Sequence, residues 1–229
     1  MSIWIKICGN TSLEDTRLAV LAGADAVGFV FAPSPRQVTV SEVAAILMHL
    51  ASPVEKIGVF VDAPLDEIYE AVRVCGLTGV QLHSAARPEM PAKLHARLGS
   101  DLRILRVVHF DADAPERTIV EIAQHDRDPH VDAVLVDSRT VTAVGGTGVT
   151  FDWAAARTIF SQDAKACQRI VAGGLNPANV AEAIATLRPS GVDVVTGVEA
   201  EPGRKDPVKL REFVARARAA VRELQLSSR

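Results

Sequence analysis

The chain has 229 residues, is 48% hydrophobic but only 4% aromatic, and carries a formal charge of −3. That length allows one large domain or two small ones, and the charge leaves no electrostatic footprint for nucleic acid and no basic run for an anionic membrane. The first apolar stretch is short and broken by Lys6, so it reads as neither signal peptide nor spanning helix. Cys8, Cys75 and Cys167 are too far apart for a disulfide framework or a metal cluster, and the chain is expected to be cytoplasmic with reduced thiols.

In chain order, the runs that read as buried strands are IWIKIC (3–8), DAVGFVF (25–31), EKIGVFV (55–61), GVQLH (79–83), LRILRVVHF (102–110), DAVLVD (132–137), RIVAGG (169–174) and VDVVTG (192–197). Helical patterns begin near Ser12, Thr39, Pro64, Arg87, Pro115, Phe151, Asn176 and Asp206. Thr39 with Glu42 makes a capping box and Ser12 with Asp15 a weaker one. Asn176-Pro177 and Asp206-Pro207 place a capping side chain before a proline at the first helical position. Arginines thicken only in the last helix (Arg204, Arg211, Arg216, Arg218, Arg222), where Glu212 and Glu223 offset some of them, as on a solvated face.

The strands are apolar on both faces, as parallel strands covered by helices are. No linker divides the pattern, and its repeat of about 25 to 30 residues marks an α/β chain folded as one (β/α)8 TIM barrel over residues 1–229. A doubly wound open sheet would want GxGxxG after an early strand, and Cys8-Gly9-Asn10 does not supply it.

Barrel sites form where the strands end, which singles out Cys8, Phe31 to Arg36, Asp62, His83, Phe110, Asp137, Gly173-Gly174 and Thr196-Gly197. The loops AGGLNPANV and VTGVEAEPG follow the last two strands, where bare glycine amides and a short helix N-terminus cradle phosphate in many barrels. Gly173, Gly174, Thr196 and Gly197 are the candidate phosphate ligands, with Gly197 opening a one-turn helix over Val198 to Ala200. The corresponding strand ends in the first half, VFVDAP and QLHSAA, lack paired glycines, so the ligand has one phosphate rather than two. Cys8 by itself suits packing, metal ligation, redox pairing or proton transfer. A thiolate is a capable base, and a partly buried Asp137 could be the matching acid. Such a pair facing a phosphorylated small molecule suggests an isomerisation with no metal or cofactor.

Several motifs carry a resemblance. KICG at 6–9, SPRQV at 34–38, GVFVD at 58–62, VQLH at 80–83 and LVDS at 135–138 resemble phosphoribosylanthranilate isomerase, as do GGTG-x-x-FDW at 145–153, AGGLNPANV at 172–180 and GVDVVTGVE with PGRKD at 191–206. The match runs in order along essentially the whole chain. It implies a (β/α)8 barrel of tryptophan biosynthesis that performs an Amadori rearrangement of N-(5′-phosphoribosyl)anthranilate. The roles it implies are Asp137 protonating the ring oxygen, Cys8 taking the C2′ proton, Arg36 holding the anthranilate carboxylate, and amides around Gly174 and Gly197 holding the phosphate. The partner is then a small phosphoribosyl substrate, with no nucleic acid or membrane, in a monomer or homodimer. Two alternatives stand beside it: a catalytically silent phosphosugar-binding barrel, and an isomerase for the related histidine-pathway aminoaldose.

Two positions depart from the pattern, Val195-Thr196 in place of two serines and Ser84 in place of the glycine after QLH. Lys6 shares side-chain parity with Cys8 and has two readings, lowering the thiol pKa or pairing inside the barrel with Asp193. His83 is expected to touch ligand or to hold a structural hydrogen bond, and Asp62 to cap a helix. The glycines of GGTG, Gly146 and Gly148 among them, suit the hinge of a mobile loop. Cys75 and Cys167 read as structural.

Overall fold

A computed structural model describes residues 3–83, 87–137, 153–161 and 167–227. The strands β1 (Trp4–Ile7), β2 (Ala26–Val30), β3 (Glu55–Phe60), β4 (Gly79–Leu82), β5 (Arg103–His109), β6 (Ala133–Asp137), β7 (Gln168–Ala172) and β8 (Gly191–Val194) form a closed barrel in sequence order. Each pairs in parallel with its neighbours, and β1 closes the ring on β8 with Lys6 beside Asp193. Closure leaves the barrel without an open edge.

The helices α1 (Leu13–Ala22), α2 (Val40–Met48), α3 (Leu65–Cys75), α4 (Met90–Leu98), α5 (Pro115–His125), α6 (Trp153–Ser161), α7 (Val180–Leu187) and α8 (Pro207–Ser227) cover the strands from outside. None of the described helices is long and apolar enough to cross a membrane. Successive strand residues face opposite sides, so the apolar runs divide into two cores. A large one lies between strands and helices. A small one fills the barrel interior with Ala26, Ile57, Leu105, Val107, Ala133, Leu135, Ile170 and Ala172.

Most of the capping signals are realised in the structure. Glu42 N donates to Thr39 Oγ1 at 3.3 Å and Thr39 N to Glu42 Oε2 at 2.7 Å, a complete capping box. Asp15 N donates to Ser12 Oγ at 3.1 Å, and Asp206 Oδ1 accepts from the amides of Val208 and Lys209. Asn176 is different: α7 starts only at Val180, because Asn176 Oδ1 accepts from Ala178 N at 2.8 Å and closes a turn instead. Asp62 does not cap α3 either. Pro64 holds that position, and Asp62 takes a left-handed conformation at φ 50°, which a short polar side chain tolerates.

Cys75 and Cys167 are buried and donate to carbonyls, Cys75 to Val40 at 3.3 Å and Cys167 to Val131 at 3.0 Å, as structural thiols do. Burial pushes the Cys167 thiol up to about 11. Near it, His125 ends α5 with an Nε2 that has no hydrogen-bond partner among the described residues. Burial, reinforced by the Arg106 charge, holds its imidazole down at about 4, against an ordinary value of 6.5. The unfolded chain therefore binds a proton here that the folded one refuses. The stability His125 contributes is complete above pH 6.5 and is lost as pH falls from 6.5 toward 4. After allowance for solvent screening the loss is about 1–2 kcal/mol. Urea titrations across that window should show a flatter pH dependence for His125→Gln, and an unchanged slope would refute the assignment.

Candidate active site

Cys8 lies one residue past β1, 3% exposed, with its amide donating to Val194 O at 2.9 Å. Asn10 pins the turn behind it, its backbone and side-chain amides donating to Gly28 O at 3.0 and 3.1 Å and its side chain also to Ile7 O. Gly28 on β2 makes the room: a Cβ there would lie 2.6 Å from Cys8 Sγ and 2.9 Å from Lys6 Cε. The thiol thus occupies a notch that any side chain would close.

Lys6, fully buried in the barrel, is the thiol's main charged neighbour. Its Nζ donates to both Asp193 oxygens at 3.1 Å and to Gln81 Oε1 at 2.7 Å, so the expected interior ion pair is present. Burial works against the ammonium, but Asp193 and Cys8 outweigh it and hold its pKa above the ordinary value. Burial also raises the Cys8 pKa, while Lys6 and, more weakly, Lys205 pull it down. Both readings of Lys6 therefore describe it: it pairs with Asp193 and it favours the thiolate, without overcoming burial.

Asp137 ends β6 on the same face of the barrel, 2% exposed, with its carbonyl accepting from Phe110 N at 2.9 Å. His83 follows β4. Gln81 spends its oxygen on Lys6, and its amide nitrogen lies within hydrogen-bond distance of His83 Nε2, at 3.2 Å. His83 is thus at the mouth and also hydrogen-bonded into a chain running Asp193–Lys6–Gln81–His83.

Arg36 stands in the loop after β2, with its stem against Gly9, where a Cβ would meet Arg36 Cδ at 2.9 Å and Val195 Cγ1 at 3.1 Å. Val195, the departure noted above, therefore packs beside the Cys8 turn. The Arg36 guanidinium is held by Glu199, with Nε donating at 2.8 and 3.1 Å and Nη2 at 2.6 Å.

The two glycine loops meet. Gly173 and Gly174 adopt φ 83° and 63°, left-handed values that favour glycine. Gly197 lies so close to the preceding loop that a Cβ would fall 1.9 Å from Leu175 O. The one-turn helix runs from Thr196 to Val198, two residues earlier than expected, because Glu199 already opens a strand. Thr196 is exposed at its start. Ser84, Gly146 and Gly148 lie outside the described residues.

Sequence reasoning passed over the small hairpin of β9 (Glu199–Glu201) and β10 (Arg204–Lys205), although Pro202-Gly203 between them is a turn signal. It also passed over Gln81 and Gly28, which carry no local mark of their neighbours.

A sequence model of the N-(5′-phosphoribosyl)anthranilate isomerase family matches residues 5–216. The N-(5′-phosphoribosyl)anthranilate isomerase of Pelobacter propionicus is 44% identical over 214 residues, covering 93% of this chain and 94% of its own. That of Geobacter metallireducens is 41% identical over 218 residues, covering 94% and 98%. Phosphoribosyl anthranilate isomerase of Thermotoga maritima superposes with a TM-score of 0.81 at 34% identity, covering 95% of this chain and 99% of its own. A structure of a phosphoribosyl anthranilate isomerase in complex with reduced 1-(o-carboxyphenylamino)-1-deoxyribulose 5-phosphate gives a TM-score of 0.79 at 32% identity over 95% of this chain and 99% of its own. A closed eight-stranded barrel, a buried thiol and carboxyl at two of its strand ends and matches of this extent agree: the chain belongs to the N-(5′-phosphoribosyl)anthranilate isomerase family.

Proposed function

We propose that this protein converts N-(5′-phosphoribosyl)anthranilate to 1-(2-carboxyphenylamino)-1-deoxyribulose 5-phosphate, as a single-domain cytoplasmic enzyme, with Asp137 as general acid and Cys8 as general base. One observation carries the reading. A single face of the barrel collects Cys8 after β1, Arg36 after β2, Asp137 at the end of β6, and the two touching glycine loops after β7 and β8.

In this scheme the Asp137 carboxyl gives its proton to the furanose ring oxygen as the C1′–O bond breaks, leaving an iminium. The Cys8 thiolate then removes the C2′ proton and the electrons flow into the iminium, giving an enolamine. Protonation at C1′ and loss of the C2′ hydroxyl proton yield the ketone, so substrate and product are isomers and no electrons leave the pair. The guanidinium of Arg36 suits the planar anthranilate carboxylate. Gly173, Gly174, Thr196 and Gly197 suit the phosphate, since a backbone without side chains lets amides approach an anion.

Turnover of freshly prepared substrate, followed by loss of anthranilate-type fluorescence, tests the reading. A folded wild-type protein that leaves the substrate untouched would refute it. Gly28→Ala tests the notch: a methyl 2.6 Å from Cys8 Sγ must displace the thiol. Misplacing a reacting group on that scale costs about 10²-fold in kcat. The same variant should lose far less in KM, and turnover within about threefold of wild type would count against Cys8 as base.

A further inference from the structure

The segment from Glu199 to Lys205 has no part in the proton-transfer scheme, yet it is built with unusual cost. It folds as the β9–β10 hairpin, turning at Gly203 with φ 83°. Thr11 Oγ1 donates to Gly203 O at 2.6 Å, and Lys205 N donates to Asp15 Oδ1 at 3.0 Å, fastening the hairpin to the chain just after Cys8. The hairpin delivers two charges into the interior, with side chains 4% exposed at Glu199 and 0% at Lys205. Glu199 Oε1 accepts from Lys205 Nζ at 3.1 Å and from Gly203 N at 3.3 Å, besides its three bonds from Arg36. Lys205 Nζ also donates to the carbonyl of Cys8 at 2.6 Å.

Burying such ions costs several kcal/mol each, and apolar residues of the same volume commonly stabilise a fold as well or better. A role in stability therefore does not account for them, whereas their contacts lead straight to two site residues. We propose that Glu199 and Lys205 are positioning residues of this active site, the carboxylate fixing the Arg36 guanidinium plane and the ammonium holding the Cys8 backbone while biasing its thiol toward the thiolate. This inference rests on the reading of Cys8 as base and Arg36 as carboxylate clamp.

The placement of the charges supports it. The charged groups around Cys8 are Lys6 from β1, Asp193 from β8, Arg36 from the loop after β2, and Glu199 and Lys205 from the hairpin, with Asp137 across the mouth. Lys6 pairs with Asp193 and Arg36 with Glu199, and Lys205, bonded both to Glu199 and to the Cys8 carbonyl, is the cation on the hairpin side of the thiol. Burial lowers the Lys205 pKa, and the adjacent Glu199 carboxylate acts to keep the ammonium charged.

The test needs no turnover. The thiolate absorbance of Cys8 near 240 nm, taken as wild type minus Cys8→Ser, is titrated in Lys205→Met and Lys205→Arg. The Met variant should raise the Cys8 midpoint by about one unit or more, and the Arg variant should restore most of it. In parallel, Glu199→Gln should weaken binding of reduced 1-(o-carboxyphenylamino)-1-deoxyribulose 5-phosphate at least about tenfold. An unchanged midpoint in folded Lys205→Met, or unchanged binding in folded Glu199→Gln, overturns the inference. If Lys205→Met does not fold, a midpoint in Lys205→Arg within about half a unit of wild type supports the thiolate bias, and a rise of about one unit or more overturns it. Wild-type turnover, measured alongside, reports separately on the functional reading beneath it.

Discussion

Cys8→Ser and Asp137→Asn should each lower kcat by at least about 10²-fold while leaving the fold intact, since each removes one group that moves a proton in the proposed scheme. A serine hydroxyl fits the notch beside Gly28, but its far higher pKa makes it a poor base at neutral pH. Asparagine keeps the shape of Asp137 at the end of β6 and has no proton of comparable acidity to give the ring oxygen. Because burial holds the Cys8 thiol above its ordinary value, the thiolate is scarce at low pH and grows as pH rises. The pH dependence of kcat/KM in the wild type should therefore include the ionisation of Cys8, and that component should be absent from Cys8→Ser. Near-ultraviolet circular dichroism establishes that the variants are folded. If folded variants turn over within about threefold of wild type, the acid–base assignment falls.

Asp193→Ala should cost about 3–5 kcal/mol of stability, read from urea unfolding, because it leaves the Lys6 ammonium inside the barrel with its carboxylate gone. Gln81 Oε1 remains as a neutral acceptor at 2.7 Å, too little to replace an anion. The double change Lys6→Met with Asp193→Leu should recover most of the loss, since apolar groups then replace both charges. The pH dependence distinguishes the two proteins. In the wild type the Lys6 pKa stands above 10.5, so its contribution is present below that value and fades as pH rises through the higher folded one. In Asp193→Ala burial acts unopposed by Asp193 and depresses the Lys6 pKa. Stability then falls as pH drops below 10.5, the opposite slope. Equal stability of Asp193→Ala and wild type at neutral pH would show that the pair contributes nothing.

Much of the candidate site was legible because barrels place chemistry at strand ends. Cys8, Asp137 and the Gly173-Gly174 loop could be singled out once the runs were counted, and the Lys6–Asp193 pair followed from side-chain parity on two neighbouring strands. What escaped was whatever depends on contact between distant segments. The resemblance implies that Arg36 holds a ligand carboxylate, but nothing local signals its partner Glu199, 163 residues later. Lys205 reaches the Cys8 carbonyl across 197 residues. Gln81 and Gly28 have unremarkable neighbours in sequence, and only the closed ring brings one to Lys6 and the other against the thiol.

The sequence by itself determined the alternation of strands and helices, the barrel that this alternation builds, and which residue types stand at its strand ends. These are local consequences of apolar periodicity, capping chemistry and residue type, each read within a few turns of chain. The tertiary structure alone decided which charge neutralises which, and therefore how the thiol, the guanidinium and the two buried lysines are poised. Electrostatic energy depends on distance and burial in space, and neither exists until β1 has closed on β8.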